Sequence, residues 1–98
     1  MPKPIRVAAV AAREMGDAKA WLDAQVPGLG DRFVHAVDRV LAEIAEQPSR
    51  YALIHGDIRR AVARPVPHGV FFRDLPNAVR VIAIVHLRRS PMTWQRRH

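Results

Sequence analysis

The residues best equipped for chemistry in this sequence are arginines, and they gather in two places. HLRRSPMTWQRRH, residues 86–98, holds four arginines and two histidines around one tryptophan and one proline, with no acid among them. Arg59, Arg60 and Arg64 form a second group within IRRAVARPV, residues 58–66. A guanidinium stays protonated, forks onto phosphate or carboxylate oxygens and stacks on flat rings. It can hold phosphate charge, but with a pKa above about 12 it moves protons poorly. Proton transfer would fall to a histidine, with His86 and His68 the available substitutes. The five histidines (35, 55, 68, 86 and 98) show no metal-ligand spacing, so neither a zinc site nor a cofactor is expected. Without cysteine there is no disulfide framework and no thiolate nucleophile.

The charge balance is as uneven as the arginine placement. Residues 1–49 carry six Lys/Arg and seven Asp/Glu, whereas residues 50–98 carry ten Arg and two Asp. The net +7 therefore resides in the second half, and there it is all arginine. Such asymmetry points to a polyanionic or acidic partner. At 98 residues, 49% hydrophobic and 26% charged, the chain fits one globular domain with one modest core. No run approaches the roughly 18–20 apolar residues of a membrane span. The short apolar stretch after the basic start runs straight into charge, unlike a signal peptide, so a cytoplasmic location is expected.

These side chains need a scaffold, and periodicity predicts one. KPIRVAAV, Lys3 to Val10, carries β-branched residues at Ile5, Val7 and Val10 and reads as a first strand. From Ala11 the helix formers Ala, Glu, Met, Lys and Leu take over to about Gln25, with Ala18, Trp21 and Leu22 at helical spacing. Leu29, Phe33, Val37, Val40, Leu41 and Ile44 then make one apolar stripe, so a second helix follows, with Pro27 in its first turn and Pro48 at its stop. After Pro48 the period changes. Ile58–Val66, Gly69–Asp74 and Arg80–His86 read as three strands of an antiparallel meander, the last two joined by a turn at Leu75, Pro76 and Asn77. RVIAIVH is apolar on both faces, which puts that strand at the centre of the sheet. Pro65 lacks an amide donor and belongs at a strand end or edge. The order β-α-α-β-β-β describes an α+β domain, a helical hairpin packed on a small curled antiparallel sheet.

Several segments taken in order resemble the RelE/ParE family of type II toxins. They are AWLDAQVPGLGDRF, a second helix ending in IAEQPSRY, IRRAVARPVPHGVFFRD, and VIAIVHLRRSPMTW. Together they span nearly the whole chain, which is similar to a single RelE/ParE-like toxin domain over residues 1–98, closest to the ParE-like side. The resemblance implies a cytoplasmic toxin neutralised by a cognate antitoxin encoded beside it. The antitoxin's acidic, disordered tail would fold onto the toxin in a hetero-oligomer, its ordering entropy subtracted from the gain.

The resemblance also implies one of two targets. One branch of the family cleaves mRNA in the ribosome; the other inhibits DNA gyrase. Cleavage by the 2′-hydroxyl requires phosphate stabilisation and proton movement. Of the cleaving branch's pattern, Arg60 matches the second-strand cation and Arg88 the arginine after the last strand. The third-strand arginine position reads Gly69 and the tyrosine position reads Trp94. Tryptophan donates one N–H and is no acid or base near neutral pH. The gyrase-directed binder is therefore favoured. The alternatives are an endoribonuclease using Arg60, Arg88 and His86, and a non-toxic binding module on the same fold.

Residue by residue, Trp21 is expected to pack the hairpin on the sheet, given its apolar helical neighbours. Phe71 and Phe72 alternate on a strand, so one should face the core and the other, taken as Phe72, a partner. Arg60 and Arg64 should share a strand face. Arg88, Arg89 and Trp94 are expected to form an exposed anchor for something acidic, since arginine and large aromatics dominate interface energetics.

Overall fold

The structure is a computed structural model and describes residues 1–98. Its elements are β1 (Ile5–Val7), α1 (Ala9–Gln25), α2 (Leu29–Glu46), β2 (Leu53–His55), β3 (Ile58–Val62), β4 (His68–Asp74) and β5 (Val79–His86). Short 3-10 turns occupy Pro48–Arg50 and Pro91–Thr93. The five strands form one sheet in the order β1-β5-β4-β3-β2, antiparallel except where β1 runs parallel to β5. The expected α+β architecture is present, with the helical hairpin on one face of the sheet.

Both helices are explained by their stripes. Phe33, Val37, Val40 and Ile44 of α2 are buried, as their spacing requires. On α1 the inward stripe is Ala11, Met15, Ala18 and Leu22. Trp21 lies one residue, about 100°, from Leu22 and falls outside that stripe. It is 63% exposed, which overturns the expectation that it packs the hairpin on the sheet.

The connection between the helices is set by two glycines and an aspartate. Gly28 takes φ +87°, a left-handed conformation that costs glycine little. It precedes Leu29, so Pro27 stands outside α2 rather than in its first turn. A Cβ on Gly30 would meet the Lys19 carbonyl at 2.5 Å and the Asp23 carboxylate at 2.6 Å. The missing side chain lets the helices close, and Asp23 Oδ1 accepts a 2.7 Å hydrogen bond from Gly30 N. Lys19 holds Asp23 ionised by a hydrogen bond, and both that contact and the Gly30 amide push the carboxyl below its usual range.

Four boundaries differ from the sequence reading. The first strand ends at Val7, and the alanine-rich stretch that follows begins α1 at Ala9, two residues before the expected start. The third strand stops at Val62 rather than Val66, because Pro65 and Pro67 cannot donate to a ladder. Pro65 instead sits in the loop, after a cis Arg64–Pro65 bond. β2, a three-residue edge strand too short to show a period, was not expected. With β1 added on one side and β2 on the other, the middle position belongs to β4, and β5 is its neighbour.

The sheet buries both faces. Toward the helices, Ala61, Val70, Phe72, Val79, Val81 and Ile84 join the α1 and α2 stripes. On the opposite face Ile58, Phe71, Ile82, Ala83 and Val85 form a second, smaller cluster closed by Trp94. The pairing of β4 with β5 shifts between Phe71 and Phe72, where Phe71 pairs with Ala83 and Phe72 with Val81. Ile82 is the extra residue of that bulge, so Ile82 and Ala83 both serve the second cluster. The apolar run in β5 thus reflects two cores.

Candidate partner-binding surface

The tail from His86 onward is folded onto the domain. Ser90 Oγ accepts from Met92 N at 3.2 Å and starts the 3-10 turn. That turn delivers Trp94 onto Phe71, the rings stacked with centroids 4.6 Å apart, and leaves Trp94 only 6% exposed. Three residues on, Arg97 Nη1 donates to Glu14 Oε1 at 2.8 Å and to the Ile82 carbonyl at 3.0 Å, while Nη2 reaches Glu14 Oε2 at 3.1 Å. Arg73 and Arg80 in turn hold the carbonyls of Arg97 and His98. Trp94 is therefore a structural cover for the second cluster, and its expected role as an exposed anchor is corrected.

The other expected contacts divide. Phe72 is wholly buried and Phe71 is 3% exposed, so neither faces a partner; alternation along β4 gives each its own core. Arg88 and Arg89 are exposed in the turn after β5. Arg60 is exposed on β3, opposite Phe71 and hence on the face away from the helices. Arg64 is exposed too, but beyond the end of β3, where its carbonyl accepts from Arg39 Nη2 at 2.9 Å. It does not share a strand face with Arg60. Arg59 turns to the other side and donates to the Ser49 and Tyr51 carbonyls.

His86 and Arg60 are separated by the sheet. His86 pairs with His68 across β4 and β5, and His68 packs edge-on against Phe33 of α2 at 4.7 Å. Both histidines thus face the helices, while Arg60 faces away. His86 Nδ1 is already engaged, accepting from Arg88 N at 3.0 Å. Gly69 gives no room for a cation: a Cβ there would lie 2.8 Å from the Phe71 ring and 3.2 Å from Leu87. Tyr51, the one tyrosine, is packed edge-on to Phe72, and burial raises its hydroxyl above the usual range. Arg60 and His86 are thus not brought together; the arginine that does share a cleft with His86 is Arg89, beside His68, Glu14 and Asp17.

Sequence reasoning missed an open cleft beside Trp21. Ala18, Trp21 and Leu22 of α1 face Pro67, His68 and His86 across a space of about 370 Å³. A continuation toward Glu14, Asp17 and Arg89 adds charge of both signs at its rim. β1 covers only Val79–Val81 of β5, so the strand's later half has no strand beside it there, and Glu14 and Arg97 meet its backbone instead. The exposed indole was the available signal, hidden because a tryptophan among alanines and leucines reads as core.

His68 gives this cleft a pH response. Its Nδ1 is buried without a hydrogen-bond partner, and burial, then the neighbouring His86, lowers its pKa from 6.5. A depressed folded value means the unfolded chain binds the proton first, so the stabilisation is present above pH 6.5 and is lost as pH falls through the folded value. Thermal melts from pH 7.5 to 5 should show the melting temperature falling below about 6.5, with a shallower fall in His68→Leu. An unchanged slope in that variant would show that His68 carries none of it.

The class of fold is set by the helical hairpin on a five-stranded sheet with a parallel first strand. Among solved structures, a chain of the chromosomal ParDE TA system from P. aeruginosa superposes with a TM-score of 0.78, covering 88% of this chain and 97% of that one at 11% identity. The fold is thus RelE/ParE-type, ParE-like, as the sequence resemblance implied. No protein-family model matches the sequence, and no curated protein matches it. No helix is long and apolar enough to cross a membrane.

Proposed function

We propose that this protein is the toxin of a type II toxin–antitoxin pair, that a cognate antitoxin segment docks in the cleft beside Trp21, and that DNA gyrase is the target. The fold shared with the chromosomal ParDE chain carries the toxin reading. The antitoxin's place is argued from surface chemistry. Trp21 is a large aromatic left 63% exposed on an open cleft, and partner segments that fold on binding need apolar anchors of that kind. Arg60, Arg88 and Arg89 are exposed cations free to contact the target.

The gyrase reading is supported against ribosomal cleavage by the separation of Arg60 from His86. Cleavage requires a phosphate clamp and a proton shuttle on one site, and the sheet stands between Arg60, the match to the family's second-strand cation, and His86. Trp94 and Gly69 add to this, one buried and the other shielded by Phe71.

Two measurements test the proposal. The product of the adjacent gene should raise the melting temperature of the protein, since a ligand that binds only the folded state stabilises it. Trp21→Ala should fold normally yet bind that product about 30-fold more weakly, near 2 kcal/mol for a central aromatic. An unchanged melting temperature with the partner would sink the antitoxin reading. For the target, pulsed expression should relax plasmid supercoiling; codon-phased cuts in ribosome-bound messages with normal supercoiling would transfer the assignment to the nuclease.

A further inference from the structure

A second cleft lies along α2, joined to the Trp21 cleft through a groove that shares Arg32 and Pro65 with it. Arg32, His35 and Arg39 line it with Ala36 and, from the β3–β4 loop, Pro65, around a space of about 370 Å³. At about 100° and 1.5 Å per residue, these three side chains fall within about 60° of one another and rise about 4.5 and 6 Å in succession along the helix. Arg39 is held in place by its 2.9 Å hydrogen bond to the Arg64 carbonyl, and the exposed Arg64 side chain stands over the same groove where it continues past Val62. None of the molecule's ion pairs uses Arg32, Arg39 or Arg64. Of the acids on α2, Asp31 faces Lys19, Asp38 flanks His35 about 60° round the helix, Glu43 closes the far end of the continuation, and Glu46 lies three residues beyond it.

We infer that this row of cations binds the sugar–phosphate backbone of duplex DNA. The lining decides the class of ligand. A disordered acidic peptide must offset its ordering entropy with buried apolar side chains, and the cleft offers only Ala36 and Pro65. Phosphate binding driven by counterion release needs no apolar surface. Single strands are captured by stacking bases on aromatic rings, and no Trp, Tyr or Phe lines this cleft. A straight row of arginines on a rigid helix suits the regular phosphates of a duplex and reads no base edges. The site is independent of the antitoxin and gyrase readings and could serve the protein alone or in complex.

Fluorescence anisotropy with a labelled 20-base-pair DNA duplex tests the inference on the full chain. Arg32→Ala/Arg39→Ala should weaken binding at least tenfold at low salt and reduce the slope of log K against log[salt] by about 1.8, at about 0.9 per phosphate contact. Arg6→Ala/Arg13→Ala removes the same charge from exposed positions on β1 and α1 and should change affinity less than twofold. Thermal melts confirm that both double variants are folded. Equal weakening by the two pairs would show a response to net charge alone and overturn the site, as would no weakening by either. Binding of duplex RNA or of an oligoglutamate peptide in the cleft, with no binding of duplex DNA, would also overturn it.

Discussion

Trp94→Ala should cost about 3–5 kcal/mol of stability and lower the melting temperature by more than about 10 °C. The side chain is 6% exposed and stacked at 4.6 Å on Phe71, with His55 meeting its other side edge-on at 6.2 Å. Removing it opens a cavity over Phe71, Ile82 and Val85, and little else is available to fill the space. A domain of this size holds about 5–15 kcal/mol in all, so the loss is a large share. Trp94→Phe keeps the stack and should cost far less. Arg88→Ala, in the exposed turn after β5, should stay within about half a kcal/mol. Denaturant unfolding of the three variants checks the order. Equal, small effects from Trp94→Ala and Arg88→Ala would return the tryptophan to the surface.

That contrast shows why the tail was misread while the scaffold was legible. The α2 stripe and the β5 run declare themselves through pattern, because each is buried along its whole length, α2 on one face and β5 on two. Trp94 does not. It is one apolar residue in a cationic segment, placed by a 3-10 turn that Ser90 and Pro91 begin, and its partner Phe71 stands 23 positions earlier. The bulge at Ile82 has the same opacity: one unpaired residue sends Ile82 and Ala83 to one face, where they and Phe71 form the second core. Trp21 fails in the opposite sense. Its helix already has an inward stripe in Ala11, Met15, Ala18 and Leu22, and the indole is surplus to it. Charge was legible only in sum. Arginine counts pointed to an acidic partner, but Arg73 and Arg97 serve the fold, paired with Asp57 and Glu14, whereas Arg32 and Arg39 in the acidic half are in no ion pair.

Arg97→Ala should destabilise the protein by about 2–4 kcal/mol, although it lies one residue from the end of a cationic tail. The guanidinium and the Glu14 carboxylate are 22% and 16% exposed, and together they cover the flank of β5 that β1 leaves bare. Arg97 donates to the Ile82 carbonyl at 3.0 Å, and Glu14 Oε1 accepts from Ile84 N at 3.2 Å, so the pair takes the hydrogen bonds that another strand would make. Losing Arg97 strands a partly buried carboxylate and a carbonyl at once. The double variant Glu14→Met/Arg97→Met removes both charges but leaves the two backbone groups without partners, each worth about 1–3 kcal/mol when buried. It should therefore recover only part of the loss, whereas an isolated buried ion pair replaced by apolar side chains is often neutral or stabilising. A double-mutant cycle by chemical denaturation separates these cases. Strictly additive single effects would show that Arg97 and Glu14 do not act together. Full recovery in the double variant would show that the β5 flank does not depend on them.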